Sequence, residues 1–295
     1  MGTPVIRRGF DEMRRNRRTM IGRVTFDPRM LLVIACVVFI SQHCHASVPA
    51  VGFLSSALKD QEMRCGPSLE VEYQVAFHPV AGGPAFVHRW KYIRTPTYLR
   101  AEREISYQTK TVCSFDRRTE EFRKLTTAPN SAQGSIAVGL WMPLALLECL
   151  ETTNCYLSDG RLVECLALGK VNKQMEKVDG HACWKVDIPS ESQLNVARYL
   201  VWLDPAIGYN PRRIDVVWKT GRPETITFSG YKDLGNGAWF PQQSVHRYES
   251  AGKDYILVAS VNSLSAGRVI PLKELKLEFP SGTLVDINGV VVTMP

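Results

Sequence analysis

Residues 68–94, SLEVEYQVAFHPVAGGPAFVHRWKYIR, decide the fold. From Leu69 to Val75 apolar and polar residues alternate one by one, with Leu69, Val71, Tyr73 and Val75 in one set and Glu70, Glu72 and Gln74 in the other. Successive side chains of an extended chain point to opposite faces, so this period of two predicts a strand with one buried face. Pro79-Val80-Ala81-Gly82-Gly83-Pro84 interrupts the run with turn-forming residues, and Ala85 to Arg94 resumes it. The stretch therefore reads as a β-hairpin.

The same punctuation continues toward the C-terminus. Extended runs are expected over Tyr98 to Thr109, Thr111 to Phe115, Glu121 to Leu125, Arg161 to Leu168, Ala182 to Ile188 and Ala197 to Leu203. Further runs cover Arg212 to Lys219, Glu224 to Tyr231, Ala238 to Tyr248, Asp254 to Leu264 and Leu272 to Phe279. Strands that follow one another through short turns predict a mainly β chain with few helices, built on one antiparallel sheet. A sheet of this length must curl or close. Two segments read as helices. Val51 to Arg64 is short and amphipathic, whereas Gly139 to Leu150 is apolar almost throughout, with Pro143 placed where a helix can begin. The second is either a core helix packed on the sheet or a lid over an apolar cavity.

Upstream, Met30 to Ile40 is an apolar run ended at once by Ser41-Gln42-His43-Cys44-His45. It is roughly half the ~20 residues that a membrane-spanning helix needs, so it is expected to be an export signal cleaved near Ala46-Ser47. The organisation expected is thus a leader, residues 1–46, and a single domain, residues 47–295, working in the periplasm. The leader holds eight arginines against Asp11, Glu12 and Asp27, or 8 − 3 = +5 of the chain's net +7. The remainder is near +2, which removes the electrostatic case for nucleic acid. Six cysteines follow the leader (Cys65, Cys113, Cys149, Cys155, Cys165 and Cys183), and in an oxidising compartment they are expected to form at least one disulfide, with four of them grouped between 149 and 183. They lack CxxC spacing, so no metal site is expected.

Catalytic grammar is missing. The chain has no Gly-x-Ser-x-Gly elbow, His-Glu-x-x-His helix or phosphate loop, and His78, His88, His181 and His246 stand apart from one another. The expectation is a non-enzyme without cofactor.

Four segments resemble the LolA/LolB-like superfamily of outer-membrane lipoprotein carriers. They are Trp90-Lys91-Tyr92-Ile93-Arg94-Thr95-Pro96-Thr97-Tyr98-Leu99-Arg100, Cys113 to Phe122, Trp202 to Ile214 and Leu277 to Asp286, in that order. The resemblance implies an unclosed half β-barrel whose apolar face, covered by a helical lid, holds acyl chains. It also implies a monomer that exchanges a lipid or lipoprotein with membrane-anchored donor and acceptor proteins. The same superfamily includes envelope sensors that bind a membrane-anchored regulator, which is the alternative role implied. Cavity-facing candidates on the earlier strands are Val75, Phe77, Trp90, Tyr92, Tyr98 and Phe115. Trp141, Met142 and Leu146 are the lid candidates, and Trp202, Trp218 and Phe228 complete the set. Carriers of this family place an arginine directly before the proline equivalent to Pro96. Here that position is Thr95, so Arg94 and Arg100 are the candidates for fastening the lid.

Overall fold

The computed structural model describes residues 47–80, 86–105, 108–138, 156–157, 160–190, 195–219, 223–250, 252–287 and 289–295. Helix α1 (Val51–Arg64) leads into an up-and-down meander of β1 (Leu69–Pro79), β2 (Phe86–Arg94), β3 (Tyr98–Ile105), β4 (Thr109–Asp116), β5 (Glu121–Ala128) and β6 (Ser131–Val138). A small hairpin of β7 (Tyr156–Leu157) and β8 (Gly160–Arg161) precedes the short helix α2 (Leu162–Cys165), β9 (Lys170–Val171) and β10 (Glu176–Val178). The second meander runs through β11 (His181–Pro189), β12 (Val196–Asp204), β13 (Asn210–Trp218) and β14 (Pro223–Ser229). After the little ribbon β15 (Lys232–Asp233) and β16 (Trp239–Phe240), it continues with β17 (Gln243–Ser250) and β18 (Lys253–Ala266). Helix α3 (Leu272–Leu275), β19 (Leu284–Ile287) and β20 (Val290–Thr293) end the chain.

The two meanders make one sheet in the order β10-β11-β12-β13-β14-β17-β18-β1-β2-β3-β4-β5-β6-β19-β20, with β9 also beside β11. Every pairing is antiparallel except β6 with β19. The sheet is curved, and its ends β10 and β20 do not pair, so it is not closed into a barrel. The long-range step is the pairing of β1 with β18, which joins the first meander to the second.

Directly paired residues share a face, so register shows how the faces run. Val186, Val201, Ile214, Ile226, His246, Leu257, Phe77 and Phe86 are successive cross-strand partners from β11 to β2. This inner face carries two packed regions. Over β11 to β14 it is covered by Leu54 and Leu58 of α1 and by Leu162 and Leu166, all fully buried. Over β17, β18 and β1 to β3 it consists of Leu69, Val71, Tyr73, Val75, Tyr92, Leu99, Leu257 and Ala259, with Phe240 packed against them. Each large side chain so buried contributes roughly 1.5–3 kcal/mol. The outer face of β2 to β5 is covered by the segment after β18: Leu275 meets Ile93 and Tyr98, and Leu277 meets Val112 and Leu125.

Several sequence expectations are corrected. Arg161 to Leu168 is not a strand beyond its first residue, because Leu162 to Leu168 coils into α2 and a 3-10 turn that bury Leu162, Val163 and Leu166. Short apolar runs suit either state, and here burial under α1 selects the helix. Leu272 to Phe279 is also not a strand; it begins as α3 and then crosses the outer face. Ala238 to Tyr248 is broken at Pro241, which separates β16 from β17.

Among the described residues the expected disulfide is not formed. Cys113 and Cys183 are buried free thiols, and Cys65 and Cys165 are buried as well. A disulfide needs Cα atoms within about 7 Å. Cys165 lies in the inner-face core and Cys183 on the outer face beside Trp202, so the sheet itself stands between them. Burial pushes the Cys113 and Cys183 thiols up to about 11, far from the reactive thiolate form. Cys149 and Cys155 lie outside the described residues.

Candidate functional site

The alternation of β1 that opens the sequence reading is what builds the candidate surface. Tyr73 pairs with Trp90, Val75 with His88 and with Ala259, and Phe77 with Leu257, so all of these face inward. Tyr73 and Trp90 stack with ring centroids 6.0 Å apart. Phe77 lies 4.9 Å from the His88 ring, and Tyr248 and Tyr255 stack at 5.4 Å on the neighbouring strands. Val75 and Tyr92 are buried, whereas Phe77, Trp90 and Phe115 are only partly covered. The surface is therefore an aromatic and aliphatic strip on an open sheet, with part of its apolar area uncovered.

Of the candidate residues, Val75, Phe77, Trp90, Tyr92 and Phe115 come together on this strip. Phe228 and Trp218 share the inner face but belong to the neighbouring core beneath α1, where Trp218 Nε1 donates to Glu224 at 3.2 Å. Tyr98 and Trp202 do not join them. Each sits one residue out of phase, on the outer face. Tyr98 accepts a hydrogen bond from Arg118 at 2.9 Å, and Trp202 lies against both Lys185 and Arg213 and donates to Glu176 at 2.8 Å. Trp141, Met142 and Leu146 lie outside the described residues.

The two arginine candidates also part company. Arg100 is an outer-face residue held by Glu102 and by the carbonyl of Lys276. Arg94 is an inner-face residue, 4% exposed, and it meets Glu62 at the end of α1 at 3.3 Å. Glu62 also binds Arg117 at 2.8 Å and Arg161 at 2.8 Å. Burial alone would raise its pKa, but the Arg94, Arg117 and Arg161 charges outweigh it and hold the carboxyl at about 2. A cavity of about 340 Å³ lies beside this junction, lined by Met63, Leu69, Arg94, Pro96 and Arg117 among others. Gln61, one residue earlier, ties the same end of α1 to two loops: its Nε2 donates to the Gly237 carbonyl at 2.9 Å, and its Oε1 accepts from Trp239 N at 3.0 Å and from Asn210 Nδ2 at 3.3 Å.

Polar residues on the inner face went unnoticed in the sequence. His246 binds Glu224, and Arg103 stands opposite Trp90 with its guanidinium carbon 5.6 Å from the indole ring. Alternation could have found Arg103, since Glu102 and Glu104 read as an outward pair and the residue between them must point inward. No comparable signal exists for Glu62, whose partners come from three distant segments.

No protein-family model matches this chain, and no curated protein matches its sequence. Solved structures do match its shape. A DUF1329 family protein from Desulfovibrio piger aligns over 76% of this chain and 95% of its own, with a TM-score of 0.53 at 11% identity. A LolA superfamily protein from Nitrosomonas europaea aligns over 75% and 96%, with a TM-score of 0.51 at 12% identity. A putative outer-membrane lipoprotein-sorting protein domain from Vibrio parahaemolyticus covers 75% and 95%, with a TM-score of 0.49 at 12% identity. At such identities shape is what is shared, and the open, curved antiparallel sheet of this chain is a fold it has in common with the Desulfovibrio piger and Nitrosomonas europaea structures.

Proposed function

We propose that the protein is a carrier that holds the acyl chains of a lipid or lipoprotein against the inner face of its sheet. In this reading it is exported to the periplasm as one domain after its leader, and it serves outer-membrane lipoprotein sorting with membrane-anchored donor and acceptor proteins. The observation that carries the reading is the strip formed by Val75, Tyr92, Phe77, Trp90 and Phe115, gathered on one face around a single apolar cluster and partly uncovered on an unclosed sheet. Covering an acyl chain is worth roughly 0.8 kcal/mol per CH₂, so a strip of this kind can hold a lipid tail in water without any bond-making step. No catalytic residue is required. Residues 139–150 would act as the lid, with Trp141, Met142 and Leu146 facing the tail.

Native mass spectrometry of the protein purified without detergent from a Gram-negative envelope tests this. The expected result is a mass increment of one acyl-bearing ligand that organic extraction removes and added lipid restores. Phe77→Asp, at a position that is only partly buried, should abolish the increment and leave the far-UV spectrum of a β protein unchanged. An apo mass that refuses added lipid would refute the carrier and leave the sheet to a role in binding protein.

A further inference from the structure

The inner face changes character across β2 to β5. Moving outward from Tyr73, the paired residues are Trp90, Arg103, Thr111 and Thr126, and the adjacent row carries Ala101, Cys113 and Lys124. Arg103 and Lys124 are thus two cations on one side of the sheet, and both act on the Cys113 thiol between them. The carboxylates of these strands all point the other way, and outer-face cations bind three of them: Glu102 meets Arg100 and Lys110, Asp116 meets Arg118, and Glu121 meets Arg123. Among the described residues, neither Arg103 nor Lys124 has a carboxylate partner on its own face.

The hydrogen-bond inventory points the same way. Arg103 Nε, Trp90 Nε1 and His88 Nδ1 are buried atoms without a hydrogen-bond partner among the described residues. A buried donor left unmade costs about 1–3 kcal/mol, and folded proteins carry few of them without a reason. Arginine and indole nitrogens can only donate, so what satisfies them must be an acceptor. Burial, and after it the Arg103 charge, lowers the His88 pKa and favours a neutral ring. Arg103 sits at the edge of the strip, with the Tyr73–Trp90 stack between it and Val75, Phe77 and Leu257, while His88 lies within the strip beside Val75 and Phe77.

We propose that Arg103, Trp90 and Lys124 form a headgroup subsite, and that the cargo is an anionic amphiphile whose carboxylate or phosphate oxygens accept from Arg103 and Trp90 while its acyl chain lies along the strip. The inference rests on the carrier reading and narrows its cargo. Two sources carry such oxygens, a fatty acid and a phospholipid, and they are separable by the probe used.

Three probes of equal chain length distinguish the possibilities, each titrated against the delipidated protein and read by intrinsic tryptophan fluorescence and native mass spectrometry: palmitate, 1-palmitoyl lysophosphatidylglycerol and uncharged 1-palmitoyl glycerol. The anionic probes are expected to bind roughly 10- to 100-fold more tightly than the glyceride, the range of a charge-assisted hydrogen bond. The tighter of the two identifies the source. Arg103→Met should bring the preferred anion down to the affinity of the glyceride and leave the glyceride unchanged, Lys124→Met should do so in part, and the outward-facing Glu104→Gln should change neither. If Arg103→Met fails to fold, the wild type decides through salt: affinity for the anion, and not for the glyceride, should fall as ionic strength rises. Equal binding of all three probes, insensitive to salt and to Arg103→Met, overturns the headgroup subsite and leaves the carrier standing. Binding of none overturns the carrier itself.

Discussion

Glu62 is the residue on which the end of α1 turns. Its carboxylate is shared by Arg94, Arg117 and Arg161, and its pKa is held at about 2 against an ordinary 4.5. A folded-state pKa below the unfolded one means that the ionised form stabilises the fold. The contribution, on the order of 3 kcal/mol, is complete above pH 4.5 and is lost as pH falls from there toward 2. Glu62→Gln should therefore destabilise the protein by about 3 kcal/mol in urea denaturation at pH 7, where it leaves three guanidiniums around a neutral amide. The gap between variant and wild type should close progressively between pH 4.5 and 2; a gap independent of pH in that window would mean that packing, not charge, sets the cost. Nothing in the local sequence announces this role. A single Glu in an amphipathic helix reads as a solvated residue until strands from elsewhere bring arginines to it. Val75 is the opposite case, since its inward direction follows from its own neighbours, Gln74 and Ala76, and from nothing farther away.

At the scale of elements, α1 matches the reading of the sequence from Val51 to Arg64, but what it is latched to does not show there. The helix has no side-chain cap at its start, and its end is secured by Gln61, 2% exposed, bound to the turn after β12 and to the loop between β15 and β16. That turn passes through Gly208 at φ +66°, where an added Cβ would stand 2.1 Å from Gln61 Nε2. Gly208→Ala should then cost about 1 kcal/mol for the left-handed backbone and about 2 kcal/mol more for a displaced Gln61. Gly180→Ala, also at positive φ but with open space around its Cβ, should show only the first part. Equal losses in the two variants, measured by thermal unfolding, would show that Gln61 moves aside at no cost. Strand legibility follows the same logic. β1 and, from Trp184 onward, β11 bury alternate residues and are plain in the sequence. β6, with the pattern Ser131-Ala132-Gln133-Gly134-Ser135-Ile136-Ala137-Val138, is small and polar and was missed, because only pairing with β5 and β19 makes it a strand. Within the candidate site, phase errors of a single residue moved Tyr98 and Trp202 to the wrong face, since a run with apolar residues on both sides carries no sign of which side is inward.

For the whole molecule, the question is whether the two meanders are one folding unit. Each has an inner-face core, but neither core is self-contained. β1 pairs with β18 along its length, from Leu69 opposite Ala266 to Pro79 opposite Tyr255, so the first strand of one meander completes the core of the last strand of the other. Helix α1 crosses the same boundary: Leu54 and Leu58 are buried over β11 to β14, while Glu62 binds Arg94 on β2 and Arg117 after β4. Parting the meanders would expose Val75 and Ala259, both 0% exposed, and would break the Glu62 junction in the same step. Costs that fall together produce a single cooperative transition. Two variants that each keep one tryptophan, Trp90 in the first meander or Trp202 in the second, with phenylalanine at the other tryptophan positions, should therefore unfold in urea with coincident midpoints. Ala259→Asp, placed at the seam, should lower both midpoints equally, because a carboxylate buried between β18 and β1 penalises every state in which the seam is formed. A Trp202 midpoint that outlasts the Trp90 midpoint, or that ignores the seam variant, would show instead that the half-sheet covered by α1 stands alone. The β1 to β4 strip would then be a separately melting element docked onto it, and its hold on an acyl chain would depend on a local equilibrium apart from the stability of the fold.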